Sequence, residues 1–522
     1  MNTFQYGADR LTSGIALKLA RGQLKGQLVQ KTVEKINNCR KIVERIAAGD
    51  AAVYGINTGF GPLCSTQISK DQTVNLQYNL LKSHSVGVGN PIPKEIAKLM
   101  LILKVHALAQ GFSGIALTTM ERILWHIKED VIPVVPEQGS VGASGDLAPL
   151  SHLFLPLIGH GEVWYQGERC AALPILNRLN KLPIQLGAKE GLALINGTQF
   201  IAAHAVKVVE SMHNCLSNAD LIGAMMIEGL LGSNKPFFPD SHLLRPFPAN
   251  QHVAQRIHYL LQNSEVVASH HNCTRVQDPY SLRCIPQVHG ASRSAWLHLK
   301  EAVEIELNAV TDNPIIINEH LNISGGNFHG QPLALPLDYA GLAAAEVGNI
   351  SDRRSYFSLT GAANGVPKLL MQNTGINSGF MIVQYTAAAL VSENKSLCFP
   401  ASADSVPTSL GQEDHVSMGS ISGRKTLQII ENLEKILGVE LLCATQAIDF
   451  HRPLRSNILI EKMHDLVRSK IEFAEEDRIF GKDILQAVEI VKGGQLLKLV
   501  EQTVHEQKVD FETNWENIFE KF

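Results

Sequence analysis

The sequence predicts a mostly α protein: a bundle of long helices behind a loop-rich N-terminal region, with a few short hairpins. The spacing of apolar residues carries that expectation. Ile96, Leu99, Met100, Leu103 and Ala107 form one stripe at helical period, and Met120, Ile123, Leu124 and Ile127 form another. Ile429, Leu433, Ile436 and Leu437 repeat the pattern, as do Ile484, Ala487, Val488 and Val491. Strand signals are few and local. Glu162-Val163-Trp164-Tyr165 and Glu168-Arg169 flank Gln166-Gly167 and predict a hairpin. Ile315-Ile316-Ile317 and Leu321-Asn322-Ile323, joined through Asn318-Glu319-His320, predict a second.

A chain of 522 residues exceeds what one core supports. The change from loops to long helices places a boundary near residue 200, dividing 1–200 from 201–522. Hydrophobic residues make up 45% and charged residues 18%, which describes a protein with much buried surface. Forty-six basic against 50 acidic residues give a net charge of −4, so no basic footprint for nucleic acid or an anionic membrane is expected. Met1 to Tyr6 lack the basic flank and apolar run of a signal peptide. The apolar stretch Ile96 to Leu108 carries Lys98, Lys104 and His106 and is too short to span a bilayer. Eight cysteines without a CxxC pair suit reduced thiols, and the expected location is the cytoplasm.

Several polar, glycine-rich segments interrupt the helical patterns. The most unusual runs from Gly139 through Gly142-Ala143-Ser144-Gly145-Asp146 to His152. Its small residues fit a tight loop leading into a buried helix. They also fit a chemical alternative. The amide nitrogen of Gly145 can attack the carbonyl of Ala143 in a sharply bent loop; loss of two waters then leaves an electrophilic methylidene-imidazolone (MIO). The other segments are Tyr54 to Pro62, Ser83 to Gly89, Asn196-Gly197-Thr198, Gln277 to Cys284, Gly325 to Gly330 and Gln412 to His415. Loops rich in polar residues carry function more often than helices do.

Other chemistries fail on spacing. Gly142 to Gly145 is not a G-x-S-x-G elbow, and the glycines after Tyr54 lack the context of a dinucleotide fingerprint. There is no Walker sequence and no HExxH, the twenty histidines show no metal-ligand spacing, and His270-His271 reads as a solvated loop pair. No metal and no external cofactor is expected.

Gly142-Ala143-Ser144-Gly145-Asp146-Leu147 resembles the signature of the MIO-dependent aromatic amino acid lyases. The segments around Tyr54, Ser83-His84, Asn196, Tyr280 to Arg283, Asn327-Phe328-His329 and Gln412 to His415 resemble that family's other motifs, in the family's order. The resemblance spans roughly residues 10 to 510. It implies a mostly helical subunit in a dihedral homotetramer with active sites shared between chains. It also implies an MIO formed from Ala143, Ser144 and Gly145, acting on a small-molecule amino acid substrate. The extra shielding domain of the plant phenylalanine lyases is not expected in a chain of this length.

The reaction so implied needs an electron sink and a base, because ammonia leaves poorly and the substrate β-proton is weakly acidic. Tyr54 resembles the family's base, a role that requires a lowered phenol pKa. Arg283 resembles a bidentate clamp for the substrate carboxylate, and Asn196 orients the same group. Tyr280 and Gln277 resemble residues that hydrogen-bond the MIO and the reacting centre, and Phe328 one that packs against the substrate ring. Substrate choice rests on Ser83, His84 and Glu413: a histidine beside the ring suits an imidazole, and a carboxylate accepts its N–H. Phenylalanine and tyrosine lyases resemble the latter segment with glutamine in place of glutamate. L-histidine, converted to trans-urocanate and ammonia, is therefore the expected substrate. A tyrosine or phenylalanine lyase, an aminomutase, or an inactive structural relative are the alternatives. Leu410-Gly411, Ile285 and His289 depart from the family pattern without replacing a residue given a chemical role.

Overall fold

The structure is a computed structural model and describes residues 3–49, 52–59, 68, 70–270, 275–508, 511 and 517–522. Phe60 to Pro62, at the end of the Tyr54 segment, and His271 lie outside these residues. The N-terminal part holds helices α1 (Ser13–Ala20), α2 (Gln30–Ala48), α3 (Lys70–His84), α4 (Lys94–Leu108), α5 (Leu117–Lys128), α6 (Leu147–Phe154), α7 (Ala172–Arg178) and α8 (Glu190–Ile195). Between them run β1 (Phe4–Gln5), β2 (Gly26–Gln27), β3 (Val88–Pro91), β4 (Ile132–Pro133), β5 (Pro136–Gln138), β6 (Glu162–Tyr165) and β7 (Glu168–Ala171).

Two 31-residue helices, α9 (Gln199–Gly229) and α17 (Gly419–Asp449), form the axis of the second part. At 1.5 Å per residue each spans about 46 Å. Between them come α10 (Pro239–Leu243), α11 (Pro248–Leu260), α12 (Glu265–Ala268), α13 (Tyr280–Arg283), α14 (Ile285–Glu306), strands β8 (Ile315–Ile316) and β9 (Asn322–Ile323), α15 (Gln331–Ser358) and α16 (Met381–Leu397). After them come α18 (Ile458–Arg468), α19 (Phe480–Lys492) and α20 (Gln495–Gln507). Helix α17 packs on α9, α15, α16 and α19; α14 packs on α15, α11 and α9; and α4 joins the N-terminal part to α9. The backbones of α9 and α17 approach so closely at Gly229 that an added Cβ would stand 2.8 Å from the Cβ of Ala447.

Burial on all sides is more extensive than the stripes predict. In α9 the residues not fully buried are Lys207, Glu210, Ser211 and Asn214, so its helical period shows as a polar stripe on an apolar helix. In α4 every residue from Leu99 to Leu108 is buried, Lys104 included, because α1, α5, α9 and β4 surround the helix. The opposite holds on α15, where Leu335, Tyr339 and Leu342 form an exposed apolar stripe at i, i+4 and i+7.

Both expected hairpins form. β6 and β7 pair antiparallel through Gln166 (φ 52°) and Gly167 (φ 87°), the left-handed pair of a tight primed turn. β8 and β9 pair as Ile315 with Ile323 and Ile316 with Asn322, one residue shorter on each side than the sequence suggests. The pairing of β3 with β5 was not expected, since Val88-Gly89-Asn90-Pro91 holds a single β-branched residue. It sets the direction of the chain just before Gly139. His270 is not the solvated residue expected: its ring nitrogens stand 3.1 Å from the carbonyls of Val266 and Gly232, which half-bury it in a tight turn. No helix among the described residues is long and apolar enough to cross a membrane.

His126, on α5, is buried, with Nδ1 2.8 Å from the Val131 carbonyl and its ring edge-on to Trp125. Burial pushes its pKa down to about 4. The unfolded chain takes up a proton near pH 6.5 that the folded chain refuses. Stability present at pH 7 is therefore lost as the pH falls from about 6.5 to about 4, by about 3 kcal/mol in full. Thermal melts are expected to decline more steeply across that window in the parent than in His126→Gln. Parallel declines would refute the assignment.

Candidate active site

The residues from Ser140 to Asp146 form a loop clasped from two sides. On one side is the start of α17: Met418 N–H donates to Val141 O (3.0 Å), Ser420 Oγ to Ser140 O (2.6 Å) and Ser417 Oγ to Gly142 O (3.4 Å). On the other is the turn between α8 and α9. Gly145 forms a bridge with Gly197, Asp146 N–H donates to Gly197 O (2.8 Å), and Asn196 Nδ2 donates to Ser144 O (3.3 Å). Gly145 has φ +72°, and a Cβ there would stand 2.1 Å from the Gly197 carbonyl oxygen, so both conformation and space demand glycine.

Asp146 fixes the end of the loop. It is fully buried and accepts from the first N–H groups of α9, Phe200 and Ile201, at 3.0 Å each. Burial pushes its carboxyl up to about 7, against the pull of those donors. The tight loop leading into a buried helix is thus present, as α6 follows directly with Ala148, Leu150, Leu153 and Phe154 in the core.

Ala143 and Ser144 open into a cavity of about 630 Å³. Tyr54, Thr58, Asn313, Ser324 to Gly326, Phe328, His329 and Gln412 to His415 also line it. Glu413 is held through both carboxylate oxygens. Its Oε1 accepts from Ser144 Oγ (3.0 Å), and its Oε2 accepts from Thr408 Oγ1 (3.0 Å) and Ser409 Oγ (2.8 Å). The rings of His329 and His415 stack 5.7 Å apart with planes 6° from parallel. A buried Lys189–Asp312 pair, 2.6 Å apart, anchors the chain beside Asn313. Among the described residues no group of His, Cys, Asp or Glu could hold a metal ion.

Of the residues expected from sequence, Tyr54, Ala143, Ser144, Phe328 and Glu413 line the cavity, and Asn196 touches Ser144. Asn196 is buried and its Oδ1 has no partner among the described residues, an acceptor left open beside the loop. Ser83 and His84 end α3, with Ser83 Oγ 3.0 Å from His84 Nδ1. Burial lowers the His84 pKa, while the nearby charge of Glu413 opposes that shift. The ring is therefore neutral at pH 7 and has both a donor and an acceptor.

Gln277, Tyr280 and Arg283 do not line the cavity within one chain. They form a separate cluster around α13, where the Arg283 guanidinium lies 4.7 Å from the Tyr280 ring centroid and donates to Gln277 Oε1 (3.0 Å) and the Asp278 carbonyl (3.1 Å). Tyr280 is 71% exposed.

Sequence reasoning missed Thr408 and Ser409, which hold Glu413, and Asn313 and Ser324 in the cavity wall. A pair of hydroxyls ahead of the Gln412 segment was the available signal for the first two.

These observations define a class. A profile of the aromatic amino acid lyase family matches residues 11–469, and the chain belongs to that family. Its relatives narrow the comparison. The histidine ammonia-lyase of Myxococcus xanthus is 45% identical over 493 residues, covering 94% of this chain and 97% of that protein. That of Deinococcus radiodurans is 46% identical over 470 residues, 90% of each. Among solved structures, histidine ammonia-lyase from Trypanosoma cruzi superposes with a TM-score of 0.89 at 40% identity, covering 99% of this chain and 98% of that one. A tyrosine aminomutase from Streptomyces globisporus gives 0.91 at 31%, covering 96% and 99%.

Proposed function

We propose that the chain eliminates ammonia from L-histidine to give trans-urocanate, using an MIO that it makes from Ala143, Ser144 and Gly145. The observation that carries this reading is the setting of Ser144: a hydroxyl on a glutamate carboxylate, in a loop bent at Gly142 (φ +71°) and Gly145, at the floor of a cavity. The residues present fit the group. Gly145 N bonds to the Ala143 carbonyl carbon, the Ala143 oxygen and the Ser144 hydroxyl leave as water, and Gly145 itself carries no side chain beside the ring. When formed, the MIO supplies an electron sink for the departing amine.

The chain's own side chains do the rest. Tyr54 accepts the substrate β-proton from the cavity wall. Asn196 presents an open buried acceptor and an amide donor beside Ser144. Phe328 packs against the substrate ring, and the neutral His84 with Glu413 binds the imidazole. Gln277, Tyr280 and Arg283 act on the site of a neighbouring copy in a homotetramer, with Arg283 taking the carboxylate. Their separation from this chain's cavity and the exposed stripe Leu335, Tyr339 and Leu342 support that arrangement. The free thiols of Cys39, Cys170, Cys215, Cys284, Cys398 and Cys443 suit the cytoplasm.

Purified protein given L-histidine, L-tyrosine or L-phenylalanine in turn is expected to raise ultraviolet absorbance with histidine, as urocanate forms. Turnover of tyrosine alone would overturn the choice of substrate, and turnover of none would overturn the reaction.

A further inference from the structure

Lys104 has no role in the site described so far, yet it is placed expensively. It stands in the middle of α4 with 1% of its surface exposed, inside a run of buried residues from Leu99 to Leu108. Its Nζ donates to the main-chain carbonyl of Asn196 at 2.5 Å and reaches Gln199 Oε1 at 3.5 Å. Asp312, whose charge favours the ammonium, is itself taken by Lys189 at 2.6 Å. Burial pushes the Lys104 amine down to about 7. A methionine would fill the same space without burying a polar head.

The amine's chief contact is with the Asn196 carbonyl, at the turn that shapes the reactive loop. From Asn196 and Gly197 two hydrogen bonds run to the loop: Asn196 Nδ2 to Ser144 O, and Asp146 N–H to Gly197 O, which closes the bridge of Gly145 to Gly197. Gln199, the second Lys104 contact, donates in turn to Thr311 Oγ1 at 2.9 Å, next to the segment that brings Asn313 to the cavity. Lys104 therefore grips the Asn196 carbonyl in the same turn whose Asn196 side chain and Gly197 carbonyl hold the loop.

We propose that Lys104 is a positioning residue for the reactive loop: its amine fixes the Asn196–Gly197 turn, and through it the approach of the Gly145 nitrogen to the Ala143 carbonyl and the aim of the Asn196 side chain. This rests on the reading that Ala143, Ser144 and Gly145 cyclise. The roles of buried anchor and of loop positioner differ in what they move. An anchor affects melting temperature alone, whereas a positioner affects how many chains mature and how fast each mature chain turns over.

The test compares the full-length parent with Lys104→Met, which lacks a donor, and Lys104→Gln, whose amide stops one bond short of the Asn196 carbonyl. Folded protein of each is checked by circular dichroism, then measured for intact mass and for kcat and KM with L-histidine. The parent is expected to be lighter than its encoded mass by two waters. Both variants are expected to show that deficit in a minority of chains. Per mature chain they should lose about tenfold or more in kcat, with KM changed less than about threefold. Either folded variant carrying the full deficit with the parent's kcat overturns the proposal, whatever its melting temperature. A parent without the deficit overturns the cyclisation reading itself, and the role proposed for Lys104 with it.

Discussion

Replacing Ser144 by alanine is expected to restore the encoded mass and to lower kcat by a thousandfold or more. The mass change is the sharper of the two. Cyclisation with loss of two waters lightens the parent by about 36 Da, one water from the Ala143 carbonyl and one from the Ser144 hydroxyl. Alanine at 144 has no hydroxyl to lose, so the exocyclic methylidene cannot form. Without it, the amine must leave with no electron sink, and a barrier higher by about 4 kcal/mol corresponds to a thousandfold. The fold should survive, because Ser144 contributes one side-chain hydrogen bond, to Glu413, at the edge of a cavity. A variant with the parent's mass deficit, or one that turns over histidine at the parent's rate, would refute this chemistry.

Glu413→Gln should produce the second largest loss, and it acts on recognition. In the encoded chain Glu413 Oε1 accepts from Ser144 Oγ, while Thr408 and Ser409 hold Oε2. The proposed cyclisation would remove the Ser144 hydroxyl, and Glu413 Oε1, in the cavity wall, would lose that donor. An imidazole N–H replaces it well, since a hydrogen bond to a charged acceptor is stronger than one between neutral groups. Glutamine keeps the shape but removes the charge. A loss of about 3 kcal/mol, on the order of a hundredfold in kcat/KM for histidine, is expected. The two-water deficit should persist, which separates this variant from Ser144→Ala. Unchanged histidine kinetics would exclude Glu413 as the ring acceptor.

The sequence showed the reactive loop and the helical bundle for different reasons. Gly142, Ala143, Ser144 and Gly145 stand out as four small residues in a row, and Gly145 is required by a backbone contact with Gly197 that tolerates no Cβ. The bundle is readable because most of its long helices keep a polar or an apolar stripe. Where burial is complete the period fades, as in α4, and Lys104 then reads as a mere interruption of an apolar run. The β3–β5 pair gave no signal, because its two short strands are held by their neighbours and not by strand-forming side chains. Thr408 and Ser409 were passed over for a related reason: a hydroxyl that fixes another side chain has no spacing of its own. Gln277, Tyr280 and Arg283 were readable as residues, but their distance from the cavity of their own chain is set by where α13 packs in the fold, which their spacing in the sequence does not encode.

The site around Ser144 also bears on how the protein ages. A coenzyme that binds and leaves can be replaced when it is spoiled, and its supply can limit or regulate the enzyme. The electrophile proposed for Ala143, Ser144 and Gly145 would instead come with the chain itself once the loop has cyclised, and no dialysis or nutritional shortage would remove it. The same permanence makes injury final. On that reading, a subunit in which a foreign nucleophile forms a lasting bond at that position could not be reloaded, and renewal of the activity would mean synthesis of a new chain.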